Sequence, residues 1–277
     1  MNMEGLEDEI TKAKFKTITT LSVLLAISLA IVSFCGVFIH GTYERDAPSM
    51  AAQGMGQDFI NLFLVVPLLV VSLIGVHRSN RIAFFLFGGA LLYILYSFII
   101  YSFGVHFNYL FLLYCITLGL SLFTFILLVY ELNRMNVQKW FDEKTPVRLV
   151  GIYLIIVSII FYFLWLKDIV PAIITNVVPS SVGDYNLLTN PVHVIDIAFA
   201  LPGLIITSVL LFRRRSFGYI FAPIALVFII ILAIALAAMV IVVKLKGISE
   251  DSSVAVIFII LAILSSVFLV LFLKKRV

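Results

Sequence analysis

Eight long runs of apolar residues, separated by short polar segments, organise the chain from end to end. Each run is close to the roughly 20 residues that a helix needs to cross the hydrocarbon core of a bilayer. Within a bilayer the backbone must satisfy its own hydrogen bonds, so the runs predict helices despite their many valines and isoleucines. The pattern therefore predicts an all-α fold, a polytopic transmembrane helical bundle of about eight spans. The runs cover residues 17–39, 58–76, 82–103, 109–130, 147–166, 193–212, 219–243 and 254–273.

Composition identifies lipid as the main partner of this chain. Of its 277 residues, 63% are hydrophobic and 12% are charged, with a mean hydropathy of +1.18. A soluble domain is typically about half apolar and a quarter charged. The net charge of +4 comes from basic residues in short clusters between the apolar runs. We therefore predict a lipid bilayer as partner and no nucleic acid.

The basic residues also predict the orientation of the chain. If the N-terminus is cytoplasmic, 15 of the 19 lysines and arginines fall in cytoplasmic segments and 4 fall on the other side. Such a bias follows the positive-inside rule, and a wrong number of spans would scramble it. We predict a multi-pass protein of the cell membrane with both the N-terminus and the C-terminus in the cytoplasm.

The two halves of the chain resemble each other at an offset of 135 residues. At this offset Pro67 aligns with Pro202, and Arg78 aligns with Arg213. Four spans return the chain to its starting side, so such halves would be two parallel four-helix repeats. The predicted organisation is a cytoplasmic N-terminal segment (1–16), a first four-helix half (17–134), a cytoplasmic linker (135–146) and a second four-helix half (147–277).

Polar and ionisable residues gather at the predicted external ends of the helices. Ionisable groups at membrane depth are costly and mark function by default. We expect these side chains to form an external-facing polar pocket that binds a small ligand or ion. The candidate ligand-binding residues are Gln57, Asp58, His106, Asn108, Asp168, His193 and Asp196.

The segment Asn-Pro-Val-His-Val-Ile-Asp at 190–196 carries the strongest of these signals. Asn190 suits a helix N-cap, and Pro191 suits the first helical position because its missing N–H would be unpaired there anyway. His193 and Asp196 then lie three residues apart, on one face of the helix. A purely structural role is the alternative, in which Asp196 hydrogen-bonds to His193 or to a neighbouring helix.

Other candidates have local explanations as well. Asp58 is predicted to open its helix, where capping and the helix dipole favour a carboxylate. Asp168 is predicted to end its helix, where the dipole opposes negative charge, so it should have His193 or a loop donor as partner. Tyr101 fits an interfacial aromatic belt, and packing explains the spacing of Tyr93 and Tyr96.

The sequence is compatible with more than one chemistry at this site. A divalent metal ion such as zinc is a candidate cofactor, with His193, Asp196, His106 and His40 as candidate ligands, although no two histidines have a ligand spacing. The sequence contains no phosphate-binding glycine loop and no His-Glu-x-x-His motif. The leading hypothesis is a transporter-like, sensor or accessory protein. The alternatives are a membrane-embedded metal-dependent hydrolase acting at the outer leaflet and a structural subunit of a membrane complex.

Several segments resemble a known family. They are Gly-Gln-Asp at 56–58, the turn at 101–108, the segment 190–196, Leu-Pro at 201–202 and the arginines at 213–215. In these the chain is similar to a family of uncharacterised prokaryotic multi-spanning membrane proteins, over most of its length from Gln57 onward. That family has no assigned activity, so the resemblance implies topology and no mechanism.

Overall fold

Eight helices in the chain are long and apolar enough to cross a membrane, which confirms the predicted all-α, multi-pass architecture. The computed structural model describes residues 3–249 and 251–274, with side chains from Phe15 onward. The eight helices are α1 (Met3–Phe38), α2 (Pro48–His77), α3 (Arg81–Gly104), α4 (Phe111–Arg134), α5 (Val147–Thr175), α6 (Pro191–Phe212), α7 (Ser216–Leu245) and α8 (Ser253–Lys274). Both ends of the described chain therefore lie on one side of the bundle. We refer to the opposite side, with the loops after α1, α3, α5 and α7, as the distal side.

Helices α2 and α6 share the same local construction. Each begins with a proline, continues as an α-helix, widens into one π-helical turn and returns to α-helix up to the next loop. The π-helical turns cover Asn61–Val65 and Asp196–Ala200, which start 135 residues apart. After both helices a residue with positive φ, Ser79 or Arg214, turns the chain into the next helix. The backbone of the two helices thus follows the offset seen in the sequence.

Helices α3 and α7 form the centre of the bundle, where they pack against each other. Helix α2 of the first half also packs against α7, and the start of α6 packs against α3. The crossing is close because the glycines Gly88 and Gly89 of α3 face Ile224 and Val227 of α7, and small residues let membrane helices approach. The outer helices expose large apolar side chains, which are suited to contact lipid.

Some predicted boundaries are wrong, and one of the differences changes the site. Helix α2 begins at Pro48, ten residues before the predicted start at residue 58. Its first turns are rich in small and polar residues, which hydropathy does not detect, and they pack against α1 and α7 instead of lipid. Helix α5 similarly continues to Thr175, well past the predicted end at residue 166.

The predicted cytoplasmic segments also have structure. Helix α1 begins at Met3, so most of the segment 1–16 belongs to it. The linker 135–146 contains a 3₁₀ helix, Val137–Trp140, and its Trp140 ring lies against two phenylalanines of α3. Residues 1, 2 and 275–277 lie outside the described part of the chain, and they include Lys275 and Arg276 of the C-terminal basic cluster.

Candidate functional site: two carboxylates beside the central helix

The two π-helical turns place two polar side chains at equivalent positions of the two halves. Asn61 is the first residue of the π-helical turn in α2, and Asp196 is the first residue of the turn in α6. Each turn is followed by a proline, Pro67 or Pro202. Because proline has no backbone N–H, the helix lacks one backbone hydrogen bond to the residues of the preceding turn. Wide turns of this kind occur frequently at functional sites.

Asp58 lies one turn before Asn61 and is fully buried. The hydroxyl of Tyr43, in the loop after α1, donates a hydrogen bond to Oδ2 of Asp58. The hydroxyl of Tyr101, on α3, donates to Oδ1 at 3.0 Å. Helix α1 approaches the carboxylate so closely that a Cβ atom on Gly36 would stand 1.7 Å from Oδ2. Asp58 is therefore enclosed by tyrosines and by backbone.

Asn61 extends this buried polar cluster. Its Oδ1 accepts a hydrogen bond of 3.0 Å from the hydroxyl of Tyr93 on α3. Its Nδ2 and the Oγ of Ser33 on α1 are buried and make no hydrogen bond within the described part of the chain. Both nevertheless lie close enough to Asp58 to interact with its carboxylate. The cluster therefore places two further polar side chains beside a buried carboxylate.

Asp196 has a separate environment on the other side of α3. Its Oδ1 accepts a 2.9 Å hydrogen bond from the hydroxyl of Tyr96, and its Oδ2 accepts a 2.8 Å hydrogen bond from Nε1 of Trp165 on α5. The ring of Trp165 also lies against His193, with 4.7 Å between the ring centroids. Helix α3 thus bonds to the first π-helical residue of both halves, through Tyr93 and Tyr96.

A cavity of about 200 Å³ opens beside Asp196, between the two halves of the chain and near the distal loops. Most of its wall is apolar, contributed by α2, α3, α5, α6, α7 and α8. Two of its lining residues connect it to the Asp58 cluster, because Tyr101 donates to Asp58 and Gln57 precedes Asp58 in sequence. Its main polar lining residues are Gln57, Tyr96, Tyr101, Trp165, Asn190 and Asp196.

The structure brings together some of the predicted site residues and separates others. Gln57 and Asp196 line the cavity, and His193 lies behind Trp165. Asn108 stays in its turn, where it donates to the Thr42 carbonyl and to the hydroxyl of Tyr114. His106 pairs with Asp46 through Nδ1 at 2.8 Å. Val105 of that turn lines the cavity, but His106 and Asn108 do not.

Two local interpretations from the sequence are wrong. Asp58 does not open its helix, because α2 begins ten residues earlier, so capping does not explain it. Asp168 does not end its helix, because α5 continues to Thr175. Its hydrogen-bond partner is the loop donor Ser181, whose Oγ donates to Oδ2 at 2.5 Å. The prediction that Asn190 caps α6, with Pro191 at the first helical position, is confirmed.

The candidate metal ligands do not assemble. In residues 3–249 and 251–274, no three His, Cys, Asp or Glu side chains form a group that could hold a metal ion. His40 is exposed on the distal rim, and the imidazole of His106 is hydrogen-bonded to the carboxylate of Asp46. The residues present therefore do not fit the metal site that the hydrolase hypothesis needs.

Sequence reasoning missed the donors that hold the two carboxylates. Tyr101 is only 2% exposed and bonds to Asp58, so its assignment to an interfacial belt is wrong. Tyr93 and Tyr96 pack as expected, but their hydroxyls also bind Asn61 and Asp196. Three tyrosines on one buried helix were the available signal, because a buried tyrosine hydroxyl needs a partner.

The fold and the site together define the class of protein. The chain is a multi-pass helical membrane protein with two buried carboxylates beside its central helix. Comparison with protein families, curated proteins and solved structures finds no match. The resemblance based on the segment 190–196 therefore stays a prediction.

Asn190 offers a test of how the start of α6 is held beside the cavity. Its Oδ1 accepts from the Val192 N–H at 2.9 Å, and its Nδ2 donates to the Ser181 carbonyl at 3.1 Å. We expect Asn190→Ala to lower the free energy of unfolding by about 1 kcal/mol, the usual loss for a helix cap. Denaturation in mixed micelles measures this value. Asn190→Ser keeps a capping oxygen and should lose less, whereas equal losses would contradict the capping role.

Proposed function

We propose that the protein binds a small organic cation in the cavity beside Asp196, in a transporter-like role in the cell membrane. The observation that carries this proposal is a buried carboxylate on the wall of an otherwise apolar and aromatic cavity. With both termini in the cytoplasm, as the distribution of basic residues indicates, the distal side faces outward. The cavity would then receive its ligand from outside the cell.

The charge of Asp196 favours a cationic ligand. In the described part of the chain its hydrogen-bond donors are the neutral Tyr96 and Trp165, and no basic side chain forms an ion pair with it. A carboxylate removed from water is costly unless it is paired, so a bound cation would stabilise it. The two donors hold the carboxylate in one orientation before the ligand arrives.

The cavity wall favours an organic cation over a metal ion. The aromatic rings of Tyr96, Tyr101 and Trp165 all line it, and aromatic faces attract alkylammonium groups. The apolar remainder of the wall suits an alkyl body. A volume of about 200 Å³ lies below the roughly 300–1,000 Å³ of drug-sized pockets, so the ligand should be small.

Choline, a small quaternary ammonium compound, is a suitable probe for this site. The chain has two tryptophans, and Trp140 lies in the linker 135–146, so Trp140→Phe leaves Trp165 as the sole reporter. We expect choline to change Trp165 fluorescence saturably in the full-length protein in detergent. We expect Asp196→Asn to weaken this binding by about 10- to 100-fold, since contacts to charged groups are worth about 1.5–3 kcal/mol.

Two controls make this result specific. Dimethylbutanol, the neutral carbon isostere of choline, should not compete, because it lacks the positive charge. Asp184→Asn alters an exposed loop carboxylate outside the cavity lining and should bind choline like the parent protein. The proposal fails if choline causes no saturable change, or if Asp196→Asn binds choline as tightly as the parent does.

A further inference from the structure

Asp58 is a buried carboxylate that the proposed cation cavity does not use. It has no exposed surface, and it does not belong to the lining of the cavity beside Asp196. Within the described residues no basic side chain forms an ion pair with it. An uncompensated negative charge at this depth would be costly, so something must neutralise it.

The groups that face Asp58 are neutral. Tyr43 and Tyr101 donate to its two oxygens. Tyr93 of α3 and Tyr114 of α4 are the other titratable side chains close enough to interact with it electrostatically. Helix α7 contributes the backbone of Ala238 and Met239, which contacts α2 at Gly56. Burial, and secondarily the Asp58 carboxylate, raises the pKa of Tyr43, so this phenol stays protonated.

Space around the carboxylate is too limited for a metal ion. The backbone of α1 at Gly36 lies directly against Oδ2, where even a methyl group would collide with the carboxylate. Both oxygens of Asp58 already accept hydrogen bonds from tyrosines, whereas a sodium or calcium ion would need several oxygen ligands around it. A proton requires no such volume and removes the charge.

We propose that Asp58 is a proton-binding site within the membrane, with its carboxyl group protonated and held between Tyr43 and Tyr101. In the protonated form, the new O–H donates to one tyrosine oxygen, and the carbonyl oxygen accepts from the other hydroxyl. The proton comes from water and returns to it, so no further reactant is needed. This site does not depend on the identity of the ligand beside Asp196.

The two tyrosines connect the site to two separate spaces on the distal side of the bundle. Tyr43 lines a groove on the distal rim together with His40 and Thr42. Tyr101 lines the cavity beside Asp196. A proton on Asp58 therefore lies one hydroxyl away from each space.

Infrared difference spectroscopy of the full-length protein in detergent tests this proposal. Spectra recorded between acidic and alkaline buffers should contain a carboxylic-acid C=O band that shifts in D₂O. We expect Asp58→Asn to lose this band, whereas the exposed-loop variant Asp184→Asn should keep it. Identical spectra of the parent protein and Asp58→Asn would overturn the proposal.

A second variant keeps the test valid if Asp58→Asn does not fold. Tyr101→Phe removes one hydrogen bond to the carboxyl group, so the C=O band should move to higher frequency. An unchanged band in this variant would overturn the assignment. If sodium chloride at constant pH abolishes the band in the parent protein, Asp58 binds sodium in place of a proton, and the proposal is likewise wrong.

Discussion

Replacing Asp58 by alanine is expected to lower the free energy of unfolding by about 3 kcal/mol, because a buried donor left without a partner costs about 1–3 kcal/mol. The substitution removes the acceptor of two buried hydroxyls, those of Tyr43 and Tyr101, and leaves a void against Gly36. Asp58→Asn keeps one carbonyl acceptor and should lose less. Titration of the full-length protein with SDS in mixed micelles, followed by circular dichroism, measures both values.

Asp184→Ala is the matched control for this prediction, because Asp184 lies exposed in the distal loop. Its unfolding curve should superimpose on that of the parent protein. Interhelical hydrogen bonds in membranes average only about 0.6 kcal/mol each. If Asp58→Ala lowers the free energy of unfolding by less than about 1 kcal/mol, the hydrogen bonds of this cluster are ordinary interhelical ones. Leaving the two tyrosine hydroxyls without an acceptor would then add no further cost.

Gly218→Ala is expected to destabilise the second half by about 3 kcal/mol, at the upper end of the range for overpacking. A Cβ atom at Gly218 of α7 would stand 2.5 Å from the backbone nitrogen of Leu211 and 2.6 Å from its Cα, both on α6. Backbone atoms cannot move aside as a side chain does, so the two helices must separate. The same SDS titration gives the loss.

Gly119→Ala is the control, because nothing beyond the adjoining residues and backbone of its own helix, α4, lies within 4 Å of a Cβ atom at this glycine. Alanine there should be neutral or stabilise the helix by up to about 1 kcal/mol. If Gly218→Ala and Gly119→Ala behave alike, close backbone packing between α6 and α7 does not limit stability.

The first half makes the same helix crossing with the glycine on the other helix. At the equivalent positions, Gly75 of α2 faces Ala83 of α3, and a Cβ atom on Gly75 would stand 2.5 Å from that of Ala83. In the second half Leu210 and Gly218 occupy these positions. One glycine per crossing is thus enough for the close approach, whichever helix supplies it.

The two halves differ most in the chemistry of their π-helical turns. The first half has a carboxylate at Asp58 and an amide at Asn61, whereas the second half has an imidazole at His193 and a carboxylate at Asp196. The same central helix, α3, donates to both turns. One carboxylate is therefore sealed among tyrosines, and the other opens onto a cavity, which suits a proton at the first and an organic cation at the second.

Hydropathy and local rules determined the number of spans, the cap at Asn190 and the positions of the prolines in α2 and α6. These features depend on residues within one helix or one turn. Lipid surrounds the bundle however the helices pack against one another, so it favours apolar helices in any arrangement. Such information is present in the order of apolar and polar residues along the chain.

Only the tertiary structure decided where α2 begins and what the polar side chains do. The first turns of α2 are stabilised by packing against α1 and α7, so hydropathy alone does not predict them as helix. For this reason the sequence predicted that the helix starts at Asp58 and that Asp58 is a capping residue. The partners of Asp58 and Asp196 include Tyr101 and Tyr96, which lie 43 and 100 residues away along the chain. No local pattern specifies such pairs, because they depend on how α3 is rotated between the two halves.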